Sequence, residues 1–136
     1  MMKPRYLTKS DLRNRKSPRR GLGLHLIMEF YGCDSKLLEK ADIIEKILLK
    51  AALAAKLTIL KVNSHQFNPK GASSMVLIGE SHLAIHTWPE YGFAAVDIFV
   101  CGGKKPNKAA EILIKELKQK RIEIIEIVRG GNVQKS

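Results

Sequence analysis

Cysteine is scarce in this chain. Cys33 and Cys101 are the two thiols among 136 residues. They lie far apart with no further ligand at metal-binding spacing, so neither a disulfide framework nor a metal site is expected, and both read as free thiols. No apolar run approaches the roughly 18 residues that cross a bilayer. The amino terminus also lacks the apolar stretch and small-residue cleavage site of a secretory signal. A soluble, cytoplasmic protein with no membrane partner is the expectation. Acidic residues are short too: 13 Asp and Glu stand against 24 Lys and Arg, for a net charge of +11. Such an excess invites a nucleic-acid partner, but its placement argues otherwise. Residues 1–20 hold eight Lys/Arg and one Asp, +7 of the total, which leaves +4 for the rest. With Pro4, Pro18 and no apolar period, residues 1–20 are expected to form a flexible basic tail. A solubilising extension accounts for such a tail better than an RNA-binding arm working by counterion release.

Residues 21–136 are long enough for one core and too short for two, so a single domain is expected. Leu24 to Phe30 alternates as a strand ending at Gly32, after which Asp34 and Ser35 offer helix caps. From Ala41 to Lys56, apolar residues recur at spacings of three and four, which predicts a helix with one face against a sheet. "LTILKVNSHQF" is strand-like, and "FNPKGASS" is a loop before the apolar run Met75 to Ile78. Ser81 to Trp88 and Ala94 to Val100 read as two strands of a hairpin joined by "PEYG". A second helix over Lys108 to Lys118 and a last strand, "RIEIIEIV", complete the pattern. Strand, helix, several strands, helix, strand predicts an α+β fold: a two-layer sandwich with a mostly antiparallel sheet and two helices on one face.

Chemistry is concentrated in "MVLIGESHLAIHTWPEYGFAAVDIFVCG", residues 75–102, which holds the chain's one tryptophan. A serine hydroxyl can attack the carbonyl of the residue before it and turn the peptide bond into an ester. Loss of the serine Cα proton then expels the carboxylate, and the remaining dehydroalanine hydrolyses to a pyruvoyl group and ammonia. On its own the Glu80-Ser81 dipeptide is common, and a plain strand or turn serine is the simpler reading.

The whole segment, however, resembles the processing and active-site region of the pyruvoyl-dependent S-adenosylmethionine decarboxylases of bacteria and archaea. Their ESH, HTWPEY, A.VD.F and CG pattern is complete here, and the similarity runs from about residue 22 to 131. The resemblance implies a zymogen that cleaves itself between Glu80 and Ser81 into a β chain, 1–80, and an α chain, 81–136. It implies a lyase that converts S-adenosylmethionine to its decarboxylated form and carbon dioxide for spermidine biosynthesis. Ser81 matches the residue that becomes the pyruvoyl cofactor and forms the Schiff base, His86 the histidine of self-processing, Cys101 the proton donor, and Ser73 a serine supporting processing. Phe67, Trp88 and Glu90 match positions that hold the substrate's nucleoside and sulfonium. Taken singly, these three read as packing residues and a turn carboxylate, while His25, His65 and His82 read as structural. The family also implies a dimer of αβ protomers, with residues of both near each active site.

One objection comes from strand geometry. In an unbroken strand, Ser81 and His86 face opposite sides and lie about 16 Å apart at ~3.3 Å per residue. Either the chain kinks at Glu80-Ser81 or the serine is reached from a neighbouring strand's end. Two other functions remain open at this point: a pyruvoyl-dependent arginine decarboxylase of the same family, and a basic RNA-binding protein, which would explain none of the signature.

Overall fold

The structure is a computed structural model and describes residues 2–14 and 21–135. Its strands are β1 (Arg5–Leu7), β2 (Gly23–Tyr31), β3 (Ile59–Gln66), β4 (Ala72–Ile78), β5 (Ser81–Trp88), β6 (Phe93–Cys101) and β7 (Arg121–Arg129). Among the described residues they make one sheet in the order β1-β7-β2-β6-β5-β4-β3, and every neighbouring pair is antiparallel. Alternation explains the central strands. β2 buries Leu24, Leu26, Met28 and Phe30, and β6 buries Ala94, Val96, Ile98 and Val100, while the residues between them stay partly exposed. Helix α3 (Ala41–Ala54) turns Ile44, Ile47, Leu48, Ala51 and Ala52 onto that buried face, and α4 (Asn107–Leu117) adds Ala109, Ala110, Leu113 and Leu117. The two helices pack on each other and on the same core, which gives the expected α+β two-layer sandwich. A one-turn helix α2 (Ser35–Leu38) is capped by Asp34, whose carboxylate accepts from Lys36 N at 3.1 Å.

The expectation of a flexible tail fails for residues 5–14. β1 adds an edge strand to β7, pairing Arg5 with Glu126 and Leu7 with Ile124. Helix α1 (Lys9–Asn14) follows. Its start is closed by reciprocal bonds, Thr8 N to Asp11 Oδ2 at 2.8 Å and Asp11 N to Thr8 Oγ1 at 3.1 Å, in the manner of a capping box. Leu12 is 1% exposed, and its carbonyl accepts from Asn107 Nδ2 at 2.6 Å. Two buried leucines in so short a stretch leave no periodic trace, and the basic composition around them masks the fold of this segment. Residues 15–20 lie outside the described residues. Leu12→Ala is expected to cost roughly 2–3 kcal/mol, the range for a buried leucine with partial relaxation. Thermal unfolding checks this, since a mobile tail would leave Tm unchanged.

The opposite face of the sheet carries no helix among the described residues. It presents Tyr6, Met75 and Leu77 at 72%, 48% and 47% exposure, beside a row of histidines and charged groups. No described helix is long and apolar enough to cross a membrane.

Candidate active site

The residues singled out above fall into two groups at opposite ends of β5. The first group surrounds a two-residue turn. Ile78 pairs with Ser81 across the β4–β5 hairpin, so Gly79 and Glu80 alone make the link. The Glu80 carbonyl accepts a hydrogen bond from Cys101 N at 2.8 Å. Its carboxylate accepts from Thr58 N at 3.0 Å and from Thr58 Oγ1 at 3.2 Å. These bonds, led by the Thr58 N–H, hold the Glu80 carboxyl below the usual carboxylate range. Ser81 follows at φ 144°, a region that a residue with a Cβ enters at a cost of about 1–3 kcal/mol. Backbone conformation is therefore distorted at this serine, and the bonds to Thr58 and Cys101 hold the distortion in place. Cys101 is half-buried at the end of β6 and unpaired as a thiol. Cys33 is buried, and burial pushes its thiol up to about 11.

The second group lies where β3, β4 and β5 end together. Ser73 and His86 are register partners, with Ser73 Oγ 2.7 Å from His86 Nδ1. His65 is opposite Ser73 on β3, and its ring meets Phe67 edge-on at 4.7 Å. Trp88 closes β5 at 41% exposure with its ring 5.6 Å from Phe93. Glu90 is exposed on the 3-10 turn Pro89–Tyr91 that follows. The loop carrying Phe67 is tied down by Gln66, whose amide nitrogen donates to the carbonyls of Glu39, Phe67 and Gly71. A cleft of about 500 Å³ opens here, lined by Asn63, His65, Ser73, Met75 and His86 among others.

The structure does not bring the two groups together within one chain. The φ at Ser81 bends the backbone locally, yet β5 runs on in unbroken register with β4 and β6 from Ser81 to His86. Five strand residues at ~3.3 Å each keep His86 about 16 Å from Ser81.

Between the groups, on the helix-free face, is a polar cluster built around two histidines, His25 and His82, that read as structural in the sequence. His25 Nε2 lies 2.9 Å from Asp97 Oδ1, and Arg129 Nη1 lies 3.4 Å from His25 Nδ1. The arginine can only donate, which assigns the proton of a neutral His25 to Nε2, facing Asp97. That hydrogen bond, above all, holds the Asp97 carboxyl below its usual range. Burial pushes the neighbouring His82 down, with His25 adding to the effect. Thr58 and Arg129 carry no signal in the sequence, and Asp97 enters only as a letter of the family pattern, because each meets its partner from a distant part of the chain. The Cys101 amide, as a backbone group, carries no sequence signal at all.

Comparison with known proteins converges on one family. A family model described as S-adenosylmethionine decarboxylase matches residues 24–130. An S-adenosylmethionine decarboxylase proenzyme of Thermodesulfovibrio yellowstonii is 49% identical over 110 residues, which is 80% of this chain and 82% of the relative. A proenzyme of the same name from Acetivibrio thermocellus is 47% identical over 110 residues, covering 80% of this chain and 89% of the relative. The crystal structure of the adenosylmethionine decarboxylase of Aquifex aeolicus superposes with a TM-score of 0.80 at 36% identity, covering 87% of this chain and 98% of that one.

Proposed function

This chain belongs to the S-adenosylmethionine decarboxylase family, and from that premise we propose that it cuts itself between Glu80 and Ser81 and decarboxylates S-adenosylmethionine at a pyruvoyl group made from Ser81. The observation that carries the reading is the 2.8 Å bond from Cys101 N to the Glu80 carbonyl oxygen. That oxygen must take up negative charge when Ser81 Oγ adds to the carbonyl carbon, and a fixed N–H aimed at it is an oxyanion donor. As the tetrahedral centre collapses, the C–N bond breaks, its nitrogen takes a proton, and an ester is left on Oγ. Removal of the Ser81 Cα proton forms a Cα–Cβ double bond and breaks Cβ–Oγ, the electron pair departing with the Glu80 carboxylate. Residue 81 then takes up water and releases ammonia, leaving a ketone. The balance needs no outside oxidant.

The residues present fit a ketone at position 81. Its carbonyl supplies an electron sink for a substrate amine. Cys101 ends β6 beside the Glu80-Ser81 turn, and its thiol is the group proposed to return a proton to the substrate α-carbon. Phe67, Trp88 and Glu90 offer two exposed aromatic faces and a carboxylate for a cationic nucleoside.

Ser73 and His86 fit this chemistry only across a dimer. Their separation from Ser81 within one chain supports giving them to the partner's Ser81. On the helix-free face, exposed Met75 and Leu77 of β4 line the cleft beside His86 and offer apolar contacts for a second copy. Trp88 and Phe67, at the same end as His86, would then hold the substrate for the partner's ketone.

Carbon dioxide release from S-adenosylmethionine, with none from arginine, is the expected outcome for the purified enzyme; the reverse preference overturns the substrate assignment. Trp88→Ala is expected to leave both fragments intact and raise KM for S-adenosylmethionine about fivefold, the equivalent of ~1 kcal/mol of lost stacking. An unchanged KM returns Trp88 to its packing against Phe93.

A further inference from the structure

Thr58 precedes β3 and has no part in the chemistry above, yet it makes three hydrogen bonds to the turn that is cut. Its carbonyl accepts from Gly79 N at 2.8 Å, its N–H donates to Glu80 Oε1 at 3.0 Å, and its hydroxyl donates to Glu80 Oε2 at 3.2 Å. Its side chain also lies over the glycine, since a Cβ built on Gly79 would stand 3.4 Å from Thr58 Cβ. The acyl half of the scissile bond is therefore held from two sides. Thr58 grips the backbone before Glu80 and both of its carboxylate oxygens, while the Cys101 amide holds its carbonyl. Between these anchors, the backbone has little freedom to rotate Glu80 and relax the φ of 144° at Ser81.

We infer that Thr58 is a positioning residue for self-cleavage: by clamping Glu80 and the turn, it keeps the Glu80 carbonyl on the Cys101 amide and Ser81 in its distorted backbone. The inference rests on the self-cleavage reading. Thr58 touches neither the attacking oxygen nor the bond that breaks; it acts through Glu80. The Glu80 carboxyl, held below its usual range chiefly by the Thr58 N–H, reports the same grip. Because Thr58 is exposed and Glu80 half-exposed, solvent competes for these bonds and the effect of losing one is moderate.

The test follows conversion of the full-length precursor into its two fragments by intact mass. Thr58→Val keeps the shape and the backbone bonds but removes the hydroxyl, and is expected to slow cleavage about fivefold, the rate equivalent of one hydrogen bond of ~1 kcal/mol. Thr58→Ser restores the hydroxyl and should restore the rate. A merely structural role would slow cleavage whatever residue 80 is. The positioning role predicts instead that Thr58→Val makes no further difference once Glu80→Ala has removed the carboxylate. Thr58→Val cutting as fast as wild type, or losing the same factor in the Glu80→Ala background, overturns the inference while the self-cleavage reading stands. A wild-type precursor that never cuts overturns both.

Discussion

Ser81→Ala is expected to leave one chain of full mass with no decarboxylase activity. Wild type should instead give residues 1–80 ending in a free carboxylate and residues 81–136 blocked to amino-terminal sequencing, because a ketone has replaced the amine. The substitution isolates the chemistry. Alanine keeps a Cβ and so keeps the strain at φ 144°, and a hydrogen replaces the hydroxyl on a residue that is only partly buried. Folding stability should therefore change by less than about 0.5 kcal/mol, as for a surface substitution. Ser81→Cys retains a nucleophile and should cut in part. Ser81→Gly should remain uncut and gain roughly 0.5–1 kcal/mol, since glycine enters positive φ without the Cβ penalty. Borohydride should reduce the ketone of the wild-type α chain and inactivate it. A wild-type chain that stays whole and still decarboxylates at a normal rate would defeat both the mechanism and the origin of the cofactor.

The sheet and its two main helices were legible because burial is one-sided. Each central strand alternates, and α3 and α4 carry one apolar face each. β1 and α1 were not legible, since Leu7 and Leu12 are too few to set a period and lie in a strongly basic segment. For the site, distance along the chain and distance in space diverge in both directions. Ser81 and His86 are near in sequence yet far apart, because a strand is an almost fully extended chain. Ser73 and His86 are distant in sequence yet hydrogen-bonded, because they stand equally far from the Gly79-Glu80 turn. Ile78 pairs with Ser81, and counting outward from that pair one residue at a time on each strand reaches Ser73 and His86. That much could have been counted from the sequence, given the turn. The Thr58 clamp and the Cys101 amide could not, because the loop before β3 and the end of β6 meet the turn only in the folded sheet.

The same register yields the second large effect. His86→Ala should leave the precursor uncut when expressed alone, and so should Ser81→Ala. An imidazole must come within about 3 Å of the proton it takes, and within one protomer β5 holds His86 about 16 Å from Ser81. If the histidine of one copy serves the serine of the other, the two inactive chains expressed together should rescue each other in one direction only. In a mixed dimer, the His86→Ala chain offers an intact Ser81 and the Ser81→Ala chain an intact His86, so one of the two sites is whole. The His86→Ala chain should then be cut, to roughly half of its copies if protomers pair at random in a twofold dimer. The Ser81→Ala chain should remain uncut. Ser73→Ala sits with His86 at the far end of the strand, so pairing it with His86→Ala should rescue nothing, whereas pairing it with Ser81→Ala should. Intact mass resolves the chains, and dilution that separates protomers before cleavage should abolish the rescue. Efficient cutting by isolated monomers, or no cutting in the Ser81→Ala and His86→Ala mixture, would place both groups in one chain and require β5 to break the register it shows between β4 and β6.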